Sequence, residues 1–88
     1  MIKEYQRQPT CIQAIQLSDD IIVFQEAFNF TENILQRIQR GFGEPILFRV
    51  YTLKGVTEGI VGDYLIKDSY KDCYIVRKEV FEKTFESI

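Results

Sequence analysis

The sequence predicts a small α+β fold: a curved antiparallel sheet of about five strands with one or two short helices packed on one side. Three observations carry this. Near the start, a short alternating segment, Thr10–Leu17, gives way to helical spacing over 19–28. The second half then runs as short β-branched and aromatic segments divided by turns that carry Gly or Asp, which is hairpin patterning. Finally, 88 residues suit one domain, 1–88, able to bury roughly 60–65% of its unfolded surface.

Taken in order, Lys3–Arg7 is polar and extended, and Gln8 is held extended by the following Pro9. In Thr10–Leu17, Ile12 and Ala14 take one side, and Cys11, Ile15 and Leu17 the other. A strand buried on much of both faces is expected. Ser18 serves as N-cap, with Asp19 and Asp20 suited to a first helical turn. Ile21, Phe24 and Phe28, with Ala27 beside them, form one apolar stripe, so the spacing predicts a helix over 19–28. A second helix is expected from Thr31. Glu32 suits its first turn, Ile34, Leu35 and Ile38 fall at helical spacing, Arg37 and Arg40 favour its negative end, and Gly41 stops it. Gly41-Phe42-Gly43 reads as a loop, and no function is assigned to 29–45.

Ile46–Leu53 is the clearest strand, with Ile46, Phe48 and Val50 sharing a face. Lys54-Gly55 turns it back into Val56–Ile60, where Gly59 marks a bulge or a close neighbour. Val61-Gly62-Asp63 is a turn, Tyr64–Lys67 a strand, 68–72 a polar hairpin loop and Cys73–Val76 a further strand. Joined by short turns, these four strands are expected to make one antiparallel meander. Arg77–Lys83 is a helical turn, with Glu79 and Lys83 spaced for an ion pair. Phe81 and Phe85 should dock under the sheet, and the last residues run extended.

Composition narrows the chemistry. Apolar residues are 45% of the chain and the net charge is −2 with no Lys/Arg block, so no general nucleic-acid surface is expected. No apolar run approaches the ~20 residues of a membrane span. The start lacks the apolar centre of a signal peptide, so a cytoplasmic location is expected. There Cys11 and Cys73 stay thiols and act as small apolar side chains, and the Asn29-Phe30-Thr31 sequon is a chance match. Histidine is absent. With it go the commonest general base, the commonest metal ligand and every Ser-His or Cys-His pair. No catalytic residue, metal or cofactor is expected, and the chain is read as not an enzyme. Asp19-Asp20 and Asp68 with Asp72 suit caps and turns rather than an acid pair.

Two features leave room for a site. Gly62-Asp63-Tyr64 is a turn first and a candidate site second. Around the last hairpin, Tyr64, Lys67, Tyr74 and Arg77 are the candidate ligand-binding residues. They would form a pocket for a small nucleotide-like anion, with these tyrosines or Tyr70 stacking on a base. Ordinary solvated edge charge is the plainer reading. The glutamines gathered in the first half suit a protein-contact face.

Gly62-Asp63-Tyr64-Leu65-Ile66-Lys67, then Cys73-Tyr74, then Val80-Phe81-Glu82-Lys83-Thr84-Phe85-Glu86 resemble a family of small uncharacterised phage and prophage proteins. The start, Tyr5 to Gln16, and the Thr52-Leu53-Lys54-Gly55 hairpin resemble the same family, whereas 18–45 match poorly. Val61 stands where that family often has Pro, and Asp72-Cys73-Tyr74-Ile75-Val76 and Arg77-Lys78-Glu79 depart from its pattern. The resemblance implies a phage gene product in a bacterial cytoplasm and supplies no activity. The leading expectation is a phage accessory protein that binds a host or phage protein, for instance to blunt a host defence. A binder of a nucleotide-like anion and a virion or assembly component are the rivals. An exposed edge strand would allow a β-paired homodimer.

Overall fold

Thr10–Gln16 is apolar on both faces, so it can be satisfied only between two neighbours and two covering layers. The computed structural model places it there. The structure describes residues 2–7, 10–32, 34–52, 55–68, 72–84 and 86–87, with the backbone alone for 3–7, 10, 11, 86 and 87. Among these residues the strands are β1 (Lys3–Arg7), β2 (Thr10–Gln16), β3 (Gln36–Ile38), β4 (Leu47–Thr52), β5 (Gly55–Ile60), β6 (Tyr64–Lys67), β7 (Cys73–Val76) and β8 (Glu86–Ser87). The helices are α1 (Ile21–Phe30) and α2 (Lys78–Thr84). The chain is thus an α+β domain.

All strand pairs are antiparallel, but they form two sheets rather than one: β7-β6-β2-β1-β8 and β3-β4-β5. β2 is central to the larger sheet, and its two faces feed two separate cores. Ile15 joins Leu17, Leu65, Cys73 and Ile75 against Phe48 and Val50 of β4 and Ala27 and Phe30 of α1. Ile12 and Ala14 join Ile66 and Phe81 of α2, with Tyr64, Tyr74 and Val76 packed alongside. The expected division of Ile12 and Ala14 from Ile15 and Leu17 is therefore observed. The helices do not share one side of the sheet as expected: they lie against opposite faces of the five-stranded sheet, because each face carries an apolar set that needs a cover.

The single meander expected from Ile46 onward breaks in the middle. β4 and β5 form one hairpin, and β6 and β7 another in the other sheet. β6 turns from β5 to pair with β2, from Gln16 opposite Tyr64 to Gln13 opposite Lys67. The physical reason is β2 itself: with β1 alone, its second edge would leave backbone N–H and C=O groups unpaired between two buried apolar faces.

The second helix expected from Thr31 does not form. α1 runs on to Phe30, and Thr31 caps its end. The Thr31 hydroxyl donates to the Phe28 carbonyl at 2.9 Å and accepts the Leu35 N–H at 3.1 Å. Glu32 then takes the left-handed backbone conformation, φ 58°. The chain leaves extended, Leu35 enters the core, Ile34 faces solvent, and Gln36–Ile38 pair with β4. A helix would have kept Ile34 and Leu35 on one side, but the strand partner separates them. Gly41 is not a helix-terminating glycine either: the positive φ in that loop falls at Gly43.

α1 also starts later than its sequence suggests. Asp20, not Ser18, is the N-cap and accepts the Ile22 N–H at 2.8 Å. Ile21 is exposed, and the buried stripe runs through Ala27 and Phe30, flanked by Val23, Phe24 and Phe28. At the other end of the chain, the Arg77 carbonyl accepts the Phe81 N–H, opening α2. The extended segment expected at the terminus is β8. Gln8, Lys54, residues 69–71 and Phe85 lie outside the described residues, so the extended link, the tight turn, the loop tip with Tyr70 and the docking of Phe85 do too.

Candidate functional site

The Gly62-Asp63 turn is where the chain leaves one sheet for the other. Gly62 has φ 101°, a conformation glycine adopts without steric cost. Its N–H donates to the Leu17 carbonyl, and the Leu17 N–H donates to the Asp63 carbonyl at 2.8 Å, which extends the pairing of β2 with β6. The Asp63 carboxylate is buried and both oxygens are engaged. Oδ2 accepts the Ile60 N–H and Oδ1 accepts the Lys78 N–H, each at 3.0 Å. One side chain therefore ties the end of β5 to the first turn of α2. Beside it, a Cβ on Gly59 would overlap the Cγ2 of Ile75. Gly59 is thus the close neighbour its position in β5 suggested. The turn reading of Gly62-Asp63-Tyr64 accounts for each of these contacts.

The four candidate ligand residues do not converge. Tyr64 stacks on Phe81 with ring centroids 3.9 Å apart, and its hydroxyl lies 3.4 Å from Glu82 Oε2. Tyr74 packs beside the same cluster. Lys67 belongs to the other face of the sheet: its ammonium donates to the Phe30 carbonyl at 3.3 Å and lies 5.5 Å from the centre of the Phe30 ring. That cation sits at the C-terminal end of α1, where unpaired carbonyls favour positive charge. Arg77 is exposed at the entrance to α2. The five-stranded sheet itself separates the ammonium from the two tyrosines.

The carboxylate pairs serve turns. Asp20 caps α1, and Asp68 closes the last hairpin by accepting the Asp72 N–H at 3.0 Å while its own N–H donates to the Asp72 carbonyl. Cys73 is a buried free thiol. Burial pushes its pKa up, and Asp72, Asp68 and Glu32 add to the shift while Lys67 opposes it, so the thiolate is disfavoured. Among the described residues, no group of three or more His, Cys, Asp or Glu side chains is placed to hold a metal ion. Among them, too, no helix is long and apolar enough to cross a membrane.

The most distinctive surface lies elsewhere, on the outer face of the smaller sheet. Phe48 and Val50 point inward, so Leu47, Arg49 and Tyr51 point out. The register sets three rows across this face: Ile38, Leu47 and Ile60; Gln36, Arg49 and Glu58; Tyr51 and Val56. Tyr51, Val56 and Ile60 are 53%, 50% and 56% exposed. Val61 is exposed just beyond Ile60, and Phe42 is fully exposed in the loop joining β3 to β4. In the central row Arg49 Nε donates to Glu58 Oε2 at 2.7 Å, and this hydrogen bond with the carboxylate charge raises the Arg49 pKa.

Sequence reasoning missed this face for two reasons. Ile38 is expected in a helix, and no face is assigned to the apolar residues of β5 beyond the close neighbour at Gly59. In the structure the small residues point inward: Thr57 and Gly59 face β7, with the Thr57 hydroxyl accepting the Ile75 N–H at 3.0 Å, and Val56 and Ile60 face water. The signal was present in the sequence as bulky apolar residues alternating with Thr and Gly. Comparison of the chain with protein-family models, curated proteins and solved structures found no match in any of the three.

Proposed function

We propose that this is a phage or prophage accessory protein of the bacterial cytoplasm that works by binding a host or phage protein, without catalysis. The outer face of the β3-β4-β5 sheet is the contact surface in this reading. The observation that carries it is the gathering of Tyr51, Val56 and Ile60 on exposed positions of one small face. An apolar patch on a small protein commonly marks an interaction surface. The neutralised Arg49–Glu58 pair at its middle lowers the cost of drying it. The resemblance of both chain ends to phage proteins supports the origin.

The test is a paired capture from host lysate with wild-type protein and with Tyr51→Glu/Ile60→Glu. Both side chains are exposed, so the double variant should unfold within about 0.5 kcal/mol of wild type. A protein retained by wild type and released by the variant is the expected result. Equal recovery by both, or no specific partner, would sink the reading.

A further inference from the structure

The contact face ends at a strand with one bare side. Among the described residues β5 is an edge of the smaller sheet, hydrogen-bonded to β4 alone. The Ile60 N–H donates to the Asp63 carboxylate, and the Ile60 carbonyl accepts the Asp63 N–H, so both backbone groups of Ile60 turn away from β4. Backbone groups alternate sides along an antiparallel strand, which turns those of Glu58 and Val56 outward as well. Gly55, Val56, Glu58 and Ile60 are all exposed. Strands that stay unpaired at an edge usually carry Lys, Pro or a bulge as protection. β5 reads Gly-Val-Thr-Glu-Gly-Ile, and its one charge, Glu58, is already taken by Arg49 within the sheet.

The geometry points to a second copy of this chain as the occupant: β5 pairs antiparallel with β5 of the other copy about a two-fold axis at Thr57. The Ile60 groups are already bonded to Asp63, so three symmetric registers bring the outward groups of Val56 and Glu58 together. One centred on Glu58 sets two carboxylates face to face. One centred on Val56 leaves Glu58 opposite a position beyond the strand. The register centred on Thr57 sets Val56 against Glu58 of the second copy, so each outward N–H meets an outward carbonyl and the carboxylates stay diagonal. Each Arg49–Glu58 pair then continues into Val56 and Tyr51 of the second copy. The joined six-stranded sheet doubles the apolar face on one side, while the other side of β5 stays on β7. A strand edge that complements itself in this way favours a second copy over a foreign segment.

Sedimentation of the purified chain from micromolar to near-millimolar concentration, with residue-resolved amide exchange at both ends of that range, tests the pairing. The expected result is a monomer–dimer equilibrium in which the Val56 and Glu58 amides exchange about tenfold more slowly once nine-tenths of the protein is paired. Val56→Lys should remove the dimer and leave the circular dichroism spectrum unchanged. A monomer throughout overturns the inference. So does a dimer whose Val56 and Glu58 amides exchange equally fast at both concentrations, which needs no variant to be read. This inference does not rest on partner binding. A wild-type dimer that captures nothing from lysate removes the binding reading alone, and a wild-type monomer that captures its partner removes this one alone.

Discussion

At the residue scale, the Asp63 side chain fastens two elements to one turn. Its two carboxylate oxygens receive amides from β5 and from the start of α2, elements far apart in sequence. Hydrogen bonds to a charged acceptor contribute more than neutral ones. Asp63→Asn keeps one acceptor but turns an amide NH₂ toward a backbone donor. We expect it to cost about 2–4 kcal/mol in urea unfolding, on the scale of one to two such bonds. Cys73 gives a second prediction, in pH rather than composition. Its folded-state pKa is raised by burial. The folded state therefore holds the proton after the unfolded chain, near pH 8.5 for a free thiol, has released it. The associated stability is fully present below that pH and is lost as pH rises toward the folded-state pKa. Urea unfolding should weaken with pH above about 8.5 more steeply in wild type than in Cys73→Ala. Parallel slopes would show that the thiol does not titrate as described.

At the scale of elements, α2 is held to the sheet through one buried side chain. Phe81 is its only buried residue among those described and stacks on Tyr64. Phe81→Ala should cost about 3–5 kcal/mol, the usual range for a core aromatic. It should also release the α2 amides to exchange ahead of those of β2 and β6. Loss of protection everywhere at once would mean that the helix is not a separable unit. The elements also show what sequence could convey. β2, β4, β6, β7, α1 and α2 each appear close to their expected positions, because each has its own apolar period and end signals. The failure at 31–40 is equally local. Thr31 suits the start of a helix and the end of one alike, and Ile34, Leu35 and Ile38 fit either period. What decided was the Leu35 N–H bonding back to Thr31 and a free edge on β4, and neither is written in the segment itself.

Over the whole molecule, the α+β class was legible, and the division into two sheets was not. Short turns suggest that neighbours in sequence pair in space, and Val61-Gly62-Asp63 is short. The rule failed because β2 is apolar on both sides and recruits β6, a demand that sits at the other end of the chain. The candidate site was legible only in part. Tyr64, Lys67, Tyr74 and Arg77 are neighbours along a hairpin, but a pleated strand sends Tyr64 and Lys67 to opposite faces, one toward Phe81 and the other toward Phe30. The apolar outer face arises from three strands at once, so no single segment announces it.

The pairing of β2 with β6 has a bearing on how this chain is made. A polypeptide still emerging from the ribosome presents β1 and β2 early, and they can meet as a local hairpin. The flank of β2 that belongs to β6 stays open until the final third has been synthesised. A nascent or truncated product ending before Tyr64 therefore carries a sticky, apolar ribbon with no mate, and is open to misassociation in a way that the finished molecule is not.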